Sequence, residues 1–221
     1  FKAGPGETTA IIGSTGSGKT TLLNLIPRLY DATEGKVLVD GIDVKAYNQT
    51  ALRDKIGYIP QKAVLFTGTI ADNIRYGDEN ATQEELTKAA SIAQSLNFIM
   101  DTHIAQGGTN VSGGQKQRLA IARAIVKKPE IYLFDDSFSA LDFKTDAALR
   151  AALKPETKEA TVIIVAQRVS TIMDANRILV LDEGAVVGEG THRELLESCE
   201  VYKEIVSSQL SVEEIAKGGG K

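Results

Sequence analysis

The sequence predicts an α/β protein with a mostly parallel central sheet, a small antiparallel β part and an inserted, mainly helical stretch. Three observations lead there. The runs TTAIIG (8–13) and TVIIVA (161–166) are short, continuously apolar and β-branched, as strands covered on both faces must be. EIYLFDD and RILVLDEG have the same character. Helically spaced apolar residues lie between such runs, and the first run ends in a glycine-rich turn that leads directly into one of them.

Taken in order, TTAIIG is the first strand, and Leu22, Leu25, Ile26 and Leu29 then give helical spacing over Gly18 to Leu29. GKVLVDGIDV (35–44) alternates around Asp40-Gly41 and predicts a hairpin. A second helix is expected from Thr82, where Glu85 three residues on completes a capping box. From Ser112, SGGQKQRLAIARAIVKK places Leu119, Ile121, Ala122 and Ile125 along one side and lysines in the last turn. This divides the chain into a first core part at 1–66, a helical insert at 67–125, a second core part at 126–210 and a flexible tail at 211–221 that contains KGGGK.

The bulk numbers narrow the function classes. With 221 residues, 43% hydrophobic and 24% charged, the composition is that of a globular protein with a sizeable core. A net charge of −4 gives no cationic field for a nucleic acid, so no nucleic-acid partner is expected. Cys199 is the only cysteine, which excludes an internal disulfide and reads as incidental. No apolar run approaches the roughly 18 residues that cross a bilayer, so any membrane role must come through another segment or partner.

The sharpest chemical signal is GSTGSGKT, Gly13 to Thr20, which fits G-x-x-x-x-G-K-[ST] between a strand and a helix. Gly13, Gly16 and Gly18 let successive backbone amides, with those of Ser14, Thr15, Ser17 and Thr21, converge on phosphate oxygens. Lys19 is the expected countercharge to the β and γ phosphates, and Thr20 the expected Mg²⁺ ligand. ATP and Mg²⁺ are therefore the expected cofactors.

VSGGQ at 111–115, followed by KQRLAIARA and then by the strand that carries Asp135, resembles the signature of ATP-binding cassette (ABC) ATPases. The resemblance covers almost the whole chain and implies a P-loop NTPase fold with a RecA-like core. It implies that Asp135 is the Walker B aspartate, that Gln61 in YIPQKAVLF is the Q-loop residue reaching Mg²⁺ and the attacking water, and that SALD (139–142), with Ser139 and Asp142, is the D-loop. It further implies that Ser112, Gly113, Gly114 and Gln115 act in trans on a second nucleotide-binding domain. LFTGTIADNIRYG (65–77) looks like the exporter stretch that meets the coupling helices of the transmembrane domains. The expected location is the cytoplasmic face of the cell membrane.

Departures from the family pattern are as informative. Asp136 stands where a glutamate usually polarises the attacking water, and its carboxylate reaches about 1.3–1.5 Å less far. Gln167 stands where a switch histidine usually contacts the γ-phosphate; its amide donates one hydrogen bond but carries no charge. The two histidines, His103 and His192, read as surface or capping residues. Gln106 replaces a usual glutamate, and the adenine-stacking aromatic of the family would lie before Phe1, so the chain is expected to be part of a longer polypeptide. Together these features predict the degenerate half of a heterodimeric exporter, with a fully active homodimer and a non-hydrolysing regulatory module as the alternatives.

Overall fold

The computed structural model describes residues 1–95 and 100–210. Its centre is a six-stranded sheet in the order β10-β9-β1-β8-β7-β4. The strands are β1 (Thr8–Gly13), β4 (Ile56–Ile59), β7 (Ile131–Asp135), β8 (Thr161–Val165), β9 (Arg177–Asp182) and β10 (Ala185–Gly190). All pairings are parallel except β10 against β9. Successive residues of one strand enter different cores: Ala10 and Ile12 pack on one face and Ile11 on the other, as do Tyr132 and Phe134 against Leu133. Continuous apolarity in these runs thus reflects burial on both faces.

The helices are α1 (Lys19–Asn24), α2 (Gln49–Asp54), α3 (Ile70–Arg75), α4 (Gln83–Ile92), α5 (Gly113–Lys127), α6 (Phe143–Glu156), α7 (Val169–Ile172), α8 (His192–Ser198) and α9 (Glu200–Gln209). Two-residue strands β2 (Leu38–Val39) and β3 (Ile42–Asp43) form the expected hairpin, with Asp40 at φ 51° and Gly41 at φ 78° in its turn. A second short antiparallel pair, β5 (Gly68–Thr69) and β6 (His103–Ile104), precedes α3 and follows α4.

The expected helix over 18–29 is shorter than its apolar spacing suggests. α1 stops at Asn24, Leu25 and Ile26 bond only three residues back, and Leu29 is exposed. Pro27 has no amide to give and disfavours helical geometry at Ile26, which ends the helix early. His192 corrects a second expectation. It is the first residue of α8 but neither caps it nor faces water, because Thr191 is the cap and the ring is buried against the Tyr202 hydroxyl at 2.7 Å. Cys199 is buried, close against Gly188. His103 is exposed. The predicted tail at 211–221 lies outside the described residues.

Among the described residues, capping boxes open four helices: Thr69 with Asp72, Thr82 with Glu85, Ser112 with Gln115, and Thr191 with Glu194. In each, side chain and backbone satisfy one another's orphan donors, which fixes where the helix starts. None of the helices among the described residues is long and apolar enough to cross a membrane.

Candidate functional site

Strand register brings Gln61, Asp135, Asp136, Gln167 and the Gly13–Thr21 turn to one edge, while Ser112–Gln115 lie at the start of α5. β4, β7, β8 and β1 are consecutive neighbours in the sheet and parallel, so their carboxyl ends share one edge, where ligands of such sheets bind. Ile59 pairs with Phe134, and Asp135 with Val165. Gln61 and Asp136 therefore both lie two residues beyond a paired position, and Gln167 two beyond Val165. The Gly13–Thr21 turn leaves β1 at the same edge.

That turn is shaped by its glycines. A Cβ at Gly13 would stand 2.1 Å from the Leu181 carbonyl oxygen, so no other residue fits, and Gly18 caps α1 at φ 95°. Lys19 folds back over the loop. Its Nζ donates to the carbonyls of Gly13 and Ser14 at 2.8 and 2.7 Å and approaches Ser17 Oγ at 3.4 Å. Burial lowers the Lys19 pKa, while the charges of Asp136 and Asp135 oppose that shift.

The two aspartates are buried beside one another but hold different partners. Asp135 Oδ1 accepts from the Thr20 hydroxyl at 2.8 Å, and its Oδ2 from the Tyr58 hydroxyl at 3.3 Å. Burial nevertheless raises the Asp135 carboxyl above its usual range, with the Asp136 charge adding to the rise. Asp136 Oδ2 accepts two side-chain amides, from Gln61 at 3.0 Å and from Gln167 at 2.9 Å. Its backbone is left-handed, at φ 49°, and is held there by its own amide on Val165 O at 2.8 Å and by Ser139 Oγ on its carbonyl at 2.8 Å. Non-glycine residues in that region are costly enough to need such support.

Ser112, Gly113, Gly114 and Gln115 form the start of α5. Gln115 Oε1 accepts from the Ser112 amide at 2.7 Å, so both residues cap their own helix. A Cβ at Gly114 would stand 3.2 Å from Ala140 O, which puts this turn against the 139–142 loop of the same chain. Asp142 caps α6 by accepting from the Thr145 amide at 2.9 Å. Thr15, Gly16 and Thr21 are exposed or in open space along the first turn.

Several residues that shape the site carried no motif. Gln117 is buried on α5 and donates to Pro60 O at 2.8 Å, tying that helix to the residue before Gln61. A polar side chain at an apolar position of an amphipathic helix was its only sequence signal. Tyr58 reaches Asp135 across the sheet, and Arg168 donates to Ser139 O and Leu141 O at 3.0 and 3.2 Å.

Phe66 and Tyr76 stack at 4.4 Å under the Arg123 guanidinium, and both rings are exposed. With Val64, Gly77 and Lys127 they line a cleft beside β4 and α5.

Comparison with known proteins gives these features a setting. The sequence profile of the family described as ABC transporter matches residues 1–139. An ABC transporter ATP-binding protein of Mycobacterium tuberculosis is 52% identical over 214 residues, which are 94% of this chain and 37% of that protein. A protein of Staphylococcus aureus bearing the name multidrug export ATP-binding/permease protein is 43% identical over 210 residues, 92% of this chain and 36% of its own length. A solved structure of a bacterial Atm1-family ABC exporter with ATP bound superposes with a TM-score of 0.92 at 40% identity, over 96% of this chain and 38% of that one. The chain thus spans well under half the length of these relatives, and its α/β architecture is the P-loop NTPase fold of ABC ATPases. On profile, identity and fold together, the chain belongs to the ABC transporter family.

Proposed function

We propose that this chain is the ATP-binding and ATP-hydrolysing cassette of a membrane exporter. It works in a dimer that sandwiches each nucleotide, hydrolyses slowly at its own Walker site, and completes the site of a non-identical partner through Ser112, Gly113, Gly114 and Gln115. The observation that carries the reading is the Gln61–Asp136–Gln167 constellation, in which two uncharged amides meet on one oxygen of a short carboxylate.

Each residue has a role in this reading. The Lys19 ammonium, held at the Gly13–Thr21 turn, exchanges its two carbonyl partners for phosphate oxygens of ATP. Thr20 and Asp135 offer hard oxygen donors 2.8 Å apart, a set that suits Mg²⁺, with Gln61 as a further oxygen from the neighbouring loop. Mg²⁺ held by these residues would supply charge neutralisation on the nucleotide phosphates. Asp136 orients the attacking water and takes its proton, and Gln167 gives one hydrogen bond where a histidine would give a charge. Ser139 and Asp142 border the surface that faces the partner. Segments 1–66 and 126–210 act as the nucleotide-binding core, and 67–125 as the arm that carries the signature. In this reading the Phe66–Tyr76 cleft is the surface that transmembrane domains would contact, and the chain would work at the cytoplasmic face of a membrane. The multidrug-export name of the Staphylococcus aureus relative supports transport as the setting.

The same geometry gives a second reading some support. Asp136 already reaches both amides within 3.0 Å, so a homodimer in which this carboxylate is a sufficient base is the alternative. Asp136→Glu separates the two. The degenerate reading expects turnover to rise by about 10-fold or more, because a positioned base contributes roughly 10²–10⁴ in rate. Unchanged turnover favours the homodimer, and no turnover in either form, even with a glutamate-bearing partner, leaves a regulatory nucleotide-binding module.

A further inference from the structure

Past β8 the chain runs Gln167-Arg168-Val169 into α7, and each of these residues is gripped by a different part of the molecule. The Gln167 amide donates to Asp136 Oδ2. The Arg168 guanidinium holds the carbonyls of Ser139 and Leu141 and lies over the Phe143 ring, 4.9 Å from its centroid. Val169 opens α7, and its amide has no acceptor inside that helix; Arg168, in the cap position, offers no side-chain oxygen.

The missing acceptor comes from the last residue of α9. Gln209 Oε1 accepts from the Val169 amide at 2.9 Å, while its Nε2 donates to the Gln167 carbonyl at 2.8 Å. Both ends of one side-chain amide are thus spent on the backbone either side of Arg168. Gln209 is exposed and contributes nothing to either hydrophobic core.

We infer that Gln209 is a positioning residue for the chemistry at this site, holding the 167–169 backbone so that the Gln167 amide stays on Asp136. The Gln167 carbonyl carbon is bonded to the same Cα that carries the side chain to be aimed. Fixing that carbonyl, together with the next helix's first amide, limits rotation of the peptide planes that set the direction of the Gln167 Cα–Cβ bond. Geometry at a reacting centre tolerates little slack, so a hydrogen-bonded grip on its backbone acts on rate rather than on nucleotide affinity. The consequence for rate rests on the ATPase reading above; the grip itself does not.

The test uses Gln209→Leu, which keeps size and removes both hydrogen bonds, in the native chain and in a Gln167→Ala background. Two activity-independent signals are followed by NMR: exchange of the Val169 amide proton and the side-chain amide resonances of Gln167, assigned by their loss in Gln167→Ala. We expect Val169 exchange to quicken and the Gln167 resonances to move toward those of a solvated glutamine. We also expect kcat for Mg-ATP to fall about 3- to 10-fold at unchanged KM, the scale of one or two ordinary hydrogen bonds. In the Gln167→Ala background Gln209→Leu should cost no further activity. Unmoved Gln167 resonances overturn the inference, and so does an equal loss of kcat in both backgrounds. If no form hydrolyses ATP, the ATPase reading falls, but the Gln167 resonances still decide the grip.

Discussion

Asp135 and Asp136 are neighbours in sequence with opposite surroundings. Asp135 ends β7 with hydroxyl partners only, and its carboxyl is pushed up chiefly by burial. A carboxyl raised in the folded state favours folding below its unfolded pKa of about 3.9 and loses that contribution as pH rises through the folded value. At neutral pH the anion therefore costs stability in the nucleotide-free chain. Asp135→Asn removes the charge at constant size, and calorimetry should show Tm rising by about 2–4 °C, what roughly 1 kcal/mol is worth in a chain of this length. The same variant should lose Mg²⁺-dependent ATP binding. A lowered Tm would mean that the Thr20 and Tyr58 hydrogen bonds outweigh burial. At this scale the contiguous motifs were legible in the sequence, because Gly13–Thr21 and Ser112–Gln115 are runs of adjacent residues whose turn and capping geometry is local. Tyr58, Gln117, Arg168 and Gln209 were not, because each acquires its role from a partner between 27 and 77 positions away. His192 differs from its surface or capping expectation for a nearer reason: its partner, the Tyr202 hydroxyl, sits ten positions on in the next helix, α9, and the fold between α8 and α9 buries the ring.

The helices were legible where a cap and an apolar period coincide. Thr82 with Glu85 and Ser112 with Gln115 mark starts that the structure reproduces, whereas α1 ends early because Pro27 overrides its apolar spacing. β10 went unread because AVVGEG is largely exposed and lies at the sheet edge, where the both-faces-buried pattern does not apply. The caps also predict acid behaviour. Hydrogen bonds and charge from Lys128, with the Thr82 backbone amide, push the Glu85 carboxyl down to about 2. A lowered carboxyl stabilises the fold above its unfolded pKa of about 4.3, and that contribution is lost as pH falls through about 2. Glu85→Gln keeps a glutamine able to close the capping box but abolishes the titration. Its denaturation midpoint should therefore fall less steeply than that of the native chain between about pH 4 and 2; parallel curves would show that Lys128 leaves Glu85 unperturbed.

At the scale of the whole molecule, the parallel order β4-β7-β8-β1 gathers the predicted catalytic positions at one edge, while the start of α5 presents Gly113 on the surface with nothing within 4 Å of a Cβ built there. Strand order is set by long-range pairing and was not readable from the sequence, although the alternation of strand and helix was. The open space at Gly113 permits a clean separation of folding from function. Gly113→Ala should hold or slightly raise Tm, since alanine is favoured over glycine in helices by up to about 1 kcal/mol. If the signature acts on a partner's nucleotide, the same variant should sharply reduce turnover of the dimer; equal loss of Tm and turnover would assign Gly113 a structural role only.

The most direct test of the central claim is steady-state Mg-ATP turnover against protein concentration, with nucleotide binding checked separately, for the native chain and for Asp136→Glu/Gln167→His. The account predicts a native chain that binds ATP and barely hydrolyses it, and a variant whose activity rises steeply with concentration as dimers form. A native chain that is already active, with the same steep dependence, would contradict it and make Asp136 a sufficient base in a homodimer.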